Sequence, residues 1–348
     1  MKNKRFMTIM RKGHIYAALA MMLLCGCSKD NPVKDPSFED SDRAISIIPV
    51  MDSGKAATRA SLYDSENDLR ADMFRTYAYR AGTSNLFFGS DVKYSTEDID
   101  VSKHKWLFYG EGGYRNYYWP LAESLDFFAY APSSNGYVEV NSAVNPPQFT
   151  ARMPLSNNQG TVHQGNMKEF LYAYTPGRDK TGGAVPLAFH HPFAGIIFKV
   201  EKSQRDLTVK SITIDGIKYE GTCSIDYETG VATWAPTAST GKLALTVEKI
   251  IPGTVNFGGE LCGPYLVLPQ KNDGEGKELI IECHWKGYDP SDDVAKDTKI
   301  LKGRITNEWK SSRIYTYSLD LGNSREEILF SVSIAPWKYV YDHEFEIE

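Results

Sequence analysis

Along most of this chain, apolar and polar residues alternate with a period of two, which sends successive side chains to opposite faces of a strand. Leu125, Phe127 and Ala129 share one face of such a run. Leu279, Ile281, Cys283 and Trp285 share another, with Glu282 and His284 turned away. Tyr315, Tyr317, Leu319 and Leu321 repeat the pattern, as do Ile328, Phe330, Val332 and Ile334. Clusters of turn formers separate the runs: Ser133-Ser134-Asn135-Gly136, Asn145-Pro146-Pro147, Asn272-Asp273-Gly274 and Asp289-Pro290-Ser291-Asp292. Helical signal is confined to Ser65 to Ala71, enough for one or two turns. Short strands with one apolar face, joined by turns, predict an all-β chain built of sandwiches.

The first residues depart from this pattern. Lys2, Lys4, Arg5, Arg11 and Lys12 form a basic stretch, and residues 15–24 form a short apolar core. That core falls well below the roughly 20 apolar residues a spanning helix needs, so residues 1–26 read as a signal peptide. It closes on Leu24-Cys25-Gly26-Cys27, which resembles a lipobox, with Cys27 the lipidated residue. Acyl chains contribute about 0.8 kcal/mol per buried CH₂ and hold a protein on a membrane without a spanning helix. Residues 27–42 carry Asp30, Asp35, Glu39, Asp40 and Asp42 and read as an acidic leash. The expected location is the outer membrane at the cell surface.

Charge and cysteine content narrow the classes. The formal net charge is −5, and removing the five basic residues of the signal leaves 34 Lys+Arg against 44 Asp+Glu, a net charge of −10. Nucleic-acid partners, which need basic patches, are disfavoured. In the body, Cys223, Cys262 and Cys283 are odd in number and lack metal-type spacing. They fit either one bridge or three buried thiols. The stretch Thr175 to Gly183 is the best break, dividing the body into 43–183 and 184–348.

Catalytic motifs are missing from the sequence: there is no Gly-x-Ser-x-Gly, no His-Glu-x-x-His and no P-loop. Gly110-Glu111-Gly112-Gly113 reads as a hairpin turn. His190-His191 reads as a packed or hydrogen-bonded pair, because neighbours on a strand face opposite ways. Asp289, Asp292, Asp293 and Asp297 crowd one loop without the ligand order of a calcium-binding loop, and read as a solvated acidic turn. The expectation is a protein that is not an enzyme, with no cofactor and no metal.

Several segments, in order, resemble the fimbrillin family. They are Tyr117-Tyr118-Trp119-Pro120, then Leu125 to Pro132, then Leu187-Ala188-Phe189-His190-His191-Pro192-Phe193-Ala194 leading into Gly195 to Val200. Ser211 to Ile214, Gly221-Thr222, the Asp226 to Gly230 turn, Trp309, Tyr315-Thr316-Tyr317 and Ile334-Ala335-Pro336-Trp337 complete the match. The resemblance implies two transthyretin-like β-sandwich domains in tandem and a place in type V pili. It further implies lipoprotein export, removal of a first strand by an arginine-specific surface protease, and donation of a strand by a neighbouring subunit.

Candidates for each part are present. Arg43 to Met51, with Ile45, Ile47, Ile48 and Val50, is the candidate displaced strand, and Pro49, lacking an amide donor, suits an edge. The small-residue loop that follows is a protease target. Arg59 fits the processing arginine and Ala60 the new N-terminus, with Arg43 and Arg70 as rivals. Phe345 and Ile347 alternate with acids in a short strand, either a donor or the last strand of the second sandwich. The implied partners are other pilus subunits by β-strand addition, the protease, and the outer membrane through the lipid. The alternative is a permanently anchored surface lipoprotein serving as pilus anchor, adhesin or glycan-binding module.

Overall fold

The computed structural model describes residues 43–51, 63, 66–97, 105–156, 160–162, 167–203, 206–253, 258–272, 274, 276–285, 298–321 and 328–337. Among them the chain forms β1 (Ile47–Val50), a short helix α1 (Glu66–Arg70), β2 (Met73–Arg80), β3 (Leu86–Ser95), β4 (Lys105–Gly110), β5 (Gly113–Arg115), β6 (Leu125–Ala131), β7 (Val138–Asn141), β8 (Gln148–Arg152), β9 (Thr161–Val162) and β10 (Leu171–Arg178). It continues with β11 (Val185–Ala188), β12 (Ala194–Lys202), β13 (Leu207–Lys218), β14 (Glu220–Ile225), β15 (Ala232–Pro236), β16 (Thr240–Ile251), β17 (Gly259–Val267), β18 (Lys277–Trp285), β19 (Thr298–Ile305), β20 (Arg313–Asp320) and β21 (Leu329–Pro336). The all-β expectation holds, and the helix occupies the segment where the sequence allowed a turn or two.

Five sheets result, ordered β1-β11, β10-β6-β2-β3-β4-β5, β17-β12-β20-β21, β19-β18-β13-β16-β9 and β15-β14-β8-β7. Most neighbours are antiparallel; β1 with β11, β12 with β20 and β9 with β16 run parallel. Strands on either side of residue 183 pair with each other: β8 aligns Phe149 with Cys223 of β14, and β1 aligns Ile47 with Val185 of β11.

Two apolar clusters fill the interior. One gathers Ile45, Ile47, Phe74, Phe88, Phe108, Trp119, Phe127 and Val185; the larger gathers Phe128, Phe149, Phe193, Ile212, Leu279 and Tyr317. β6 lies between them. Its alternation suggested one buried face, yet Phe127 enters one cluster and Phe128 the other, so both faces are covered. Asp126, in the same strand, is wholly buried as well.

Further along, Tyr315, Tyr317, Leu319 and Leu321 are all buried, as their spacing predicts. The last series breaks its own pattern: Ile328 is buried, Phe330 and Val332 are half-buried, and Ile334 is 56% exposed. β21 is the edge strand of its sheet, paired with β20 along its length, and its face at Ile334 is left in solvent. His284, expected to face water, is buried and sits 3.2 Å from Glu282. Cys223, Cys262 and Cys283 are buried thiols in no disulfide, which resolves the alternatives in favour of packing. The glycine-rich Gly110 to Gly113 segment is the β4–β5 hairpin turn, with Gly112 and Gly113 at φ 91° and 107°, where a side chain would be strained.

Candidate assembly site

The seat of residues 43–51 is the feature that bears on function. This segment crosses from one wall to another. At its start the Trp119 amide donates to the Arg43 carbonyl at 2.8 Å, and the Ile45 amide donates to the Tyr117 carbonyl at 2.8 Å. The Arg43 guanidinium also donates to the Trp119 carbonyl at 2.8 Å. It then passes to β11, where the Val185 amide donates to Ser46 and the Phe189 amide to Val50, at 2.8 and 2.9 Å. Pro49 lies opposite Leu187 in a two-stranded sheet, an edge setting that suits a residue without an amide.

The period-two pattern sorts the four candidate residues of this strand. Ile45 and Ile47 are 6% and 5% exposed and enter the aromatic cluster; Ile48 and Val50 are 55% and 45% exposed. The floor they meet is built of packed aromatic rings. Phe88 stacks on Tyr117 with centroids 3.9 Å apart, Trp119 meets Phe127 edge-on at 5.7 Å, and Phe74 meets Phe189 at 5.3 Å. Burying an Ile side chain contributes about 1.5–3 kcal/mol. Two such anchors and a short ladder hold the strand, while the aromatic floor packs mostly on itself.

Beyond the strand, Tyr63 is the next described residue, and it is pinned. Its amide donates to Glu169 Oε2 at 2.9 Å and its hydroxyl to Asp72 Oδ2 at 2.7 Å. Burial first, and then the Asp72 bond, push the phenol far above its ordinary pKa. Glu169 is wholly buried and pairs through its other oxygen with His191 Nδ1. The His191 ring stacks on Trp337 at 4.6 Å. His190 and His191 therefore act as packed and hydrogen-bonded groups, with the His190 amide donating to Tyr172. Among the described residues, no group of three or more His, Cys, Asp or Glu could hold a metal ion.

A second polar centre was missed by the sequence reading. Asp126 accepts four donors: the amides of Gly82 and Gly177 at 2.8 and 2.7 Å, Asn145 Nδ2 at 2.8 Å, and the Tyr227 hydroxyl at 3.1 Å. One carboxylate thus ties β6 to three loops, one of them in the second half of the chain. A charged residue inside the run Leu125 to Ala131 was the available signal.

Cys27, Arg59, Ala60, Phe345 and Ile347 lie outside the described residues, as does the loop with Asp289, Asp292, Asp293 and Asp297. Arg70, a rival processing residue, sits in α1, bonded to Glu66 at 2.8 Å with its guanidinium 4.4 Å from the Tyr94 ring centre. No helix among the described residues is long and apolar enough to cross a membrane.

A family model described as fimbrillin-like matches residues 58–337. No curated protein matches the chain. Solved structures similar in fold include a fimbrial protein of Bacteroides vulgatus, 14% identical, with TM-score 0.50 over 85% of this chain and 99% of that one. A Bacteroides uniformis protein assigned to cell adhesion is 16% identical, with TM-score 0.50 over 85% and 98%. A fimbrilin of Porphyromonas gingivalis is 11% identical, with TM-score 0.43 over 85% and 98%.

Proposed function

The chain belongs to the fimbrillin-like family, and from that premise we propose that it is a structural or adhesive pilus subunit assembled by strand exchange. In this reading Cys27 carries the lipid that brings the chain to the outer membrane. An arginine-specific surface protease cuts after Arg59 and leaves Ala60 as the new N-terminus. Residues 43–51 then depart, and a neighbouring subunit supplies the replacement strand.

The observation that carries the reading is the seating of Arg43 to Met51. Ile45 and Ile47 plug an apolar slot, and the strand's ladder partners are the Val185 and Phe189 amides and the Tyr117 and Trp119 main chain. Losing the strand would leave those groups unpaired, at about 1–3 kcal/mol for each one buried. A vacated slot of that kind favours strand addition from another chain. The intact strand would block the slot during export, so cleavage would act as the switch.

The test is the N-terminus of the surface-exposed protein, read by mass spectrometry before and after an arginine-specific protease, with a denaturation-resistant ladder assayed alongside. A terminus at Ala60 together with a ladder is expected. Acylated Cys27 persisting with no ladder would overturn the reading and leave a permanently anchored surface lipoprotein.

A further inference from the structure

We propose that residues 338–348 dock as an added strand in the groove along the open edge of β15 of their own chain. The groove has a volume of about 510 Å³, and its lining includes Val231, Ala232, Thr233 and Trp234. Four successive residues line it, so the strand presents its edge and not one face. Among the described residues β15 is the outermost strand of its sheet, with β14 as its neighbour. The Ala232 amide points away from β14, to the Tyr172 hydroxyl at 3.1 Å. Two residues on, the main chain of Trp234 faces the same way, as the alternation of an antiparallel ladder requires. With the Ala232 amide taken by Tyr172 and Pro236 lacking an amide, the Trp234 main chain is the group this edge offers to an added strand.

The rest of the groove is mostly basic in its charged lining. Lys218, Lys271, Lys310 and Arg313 line it with a single acid, Glu308. Lys310 and Glu308 pair at 3.5 Å, whereas Lys218, Lys271 and Arg313 make no ion pair among the described residues. The chain as a whole is acidic, so this local excess is a selective feature and not a reflection of composition.

Residues 338–348 match the groove in charge, pattern and starting point. They carry Asp342, Glu344, Glu346 and Glu348 against Lys338. In extended form Glu344, Glu346 and Glu348 share one face and Phe345 and Ile347 the other. The acids then meet the cations while the apolar pair meets Trp234 and Pro269. The preceding residue is already at the rim. Pro336 lies opposite Arg313 in the β20–β21 ladder, and the Trp337 amide donates to the Ser312 carbonyl at 2.8 Å. Eleven extended residues span about 36 Å, ample for a groove that begins beside them. Tethering makes the encounter intramolecular, at effective concentrations of order mM.

This inference concerns the segment that the pilus reading offers as a donor, and it describes where that segment rests before assembly. It does not depend on cleavage at Arg59, so the two ideas fail separately. The test is zero-length carbodiimide cross-linking of the unprocessed full chain, using a mixture of isotope-labelled and unlabelled protein. Amide exchange at Trp234 is followed in parallel. Expected are links from Lys218 or Lys271 to Glu344, Glu346 or Glu348 within one chain, and exchange at Trp234 at least 10-fold faster once residues 338–348 are deleted. Replacing both Lys271→Glu and Arg313→Glu should abolish the protection, and adding Glu346→Lys with Glu348→Lys should restore it. Links only between labelled and unlabelled copies would overturn the proposal in favour of a second copy. Links from the groove to acids of residues 27–42, or Trp234 exchange indifferent to the deletion, would overturn it as well.

Discussion

The backbone amide of Tyr63 donates to the buried Oε2 of Glu169 at 2.9 Å, across 106 positions of chain. The other oxygen of that carboxylate is taken by His191, so Glu169 joins the chain emerging from the 52–62 segment to the start of the β12 region. A subunit that loses residues before Ala60 would keep this anchor, because Tyr63 lies downstream of the cut. Glu169→Ala removes the carboxylate that the Tyr63 amide and the buried His191 ring share. The expected loss is about 3 kcal/mol in urea denaturation. Glu169→Gln keeps an acceptor for Tyr63 and should cost about half as much.

Asp126 should prove the most sensitive polar position in the first cluster. Its four donors arrive from Gly82, Asn145, Gly177 and Tyr227, and no water-facing route remains for a carboxylate that is wholly buried. Asp126→Ala is expected to cost about 3 kcal/mol or more. Tyr227→Phe removes one donor and should cost about 1 kcal/mol. Measuring both variants, and the double variant, by chemical denaturation gives the coupling. Strict additivity would contradict a shared network.

Much of this architecture was legible because strands announce themselves by period. Ile45 and Ile47 turn inward and Ile48 and Val50 outward as alternation requires, and Tyr315 to Leu321 are buried as read. What the pattern could not supply was partnership. Nothing local to Phe149 points to Cys223, seventy-four positions away, because strand pairing is decided by packing of distant faces. The same limit hid Glu169, beside Lys168 and Phe170, and Asp126, between Leu125 and Phe127, because their donors come from elsewhere in the chain. Ile334 failed for a related reason, since alternation states which face a side chain takes and not whether anything covers that face.

Alkaline pH should destabilise the fold ahead of acid effects on these aromatics. Burial pushes the phenols of Tyr79, Tyr172 and Tyr317 far above their ordinary values. Such groups contribute stability that is fully present below the unfolded pKa of about 10. It is lost as pH rises from there toward the folded values, because the unfolded chain releases protons that the folded chain retains. The denaturation midpoint should therefore fall steadily above about pH 10. Tyrosinate absorbance should rise in two stages, exposed phenols first and buried ones on unfolding. A midpoint indifferent to alkali would contradict the burial of these hydroxyls.

The candidate displaced strand offers the sharpest contrast, because its two faces differ while its backbone does not. Ile47→Ala empties a packed site beside Trp119 and Val185 and should cost about 2–4 kcal/mol. Ile48→Ala trims a side chain in solvent and should change stability by less than about 0.5 kcal/mol. The same pair should separate in proteolysis. A loosened β1 exposes the chain that follows it, so Ile47→Ala should speed cleavage within residues 52–62 by an arginine-specific protease. Ile48→Ala should leave that rate unchanged. Equal rates for the two variants would mean that seating of the strand does not govern access to Arg59, and the strand would then be a passive passenger in processing and not its gate.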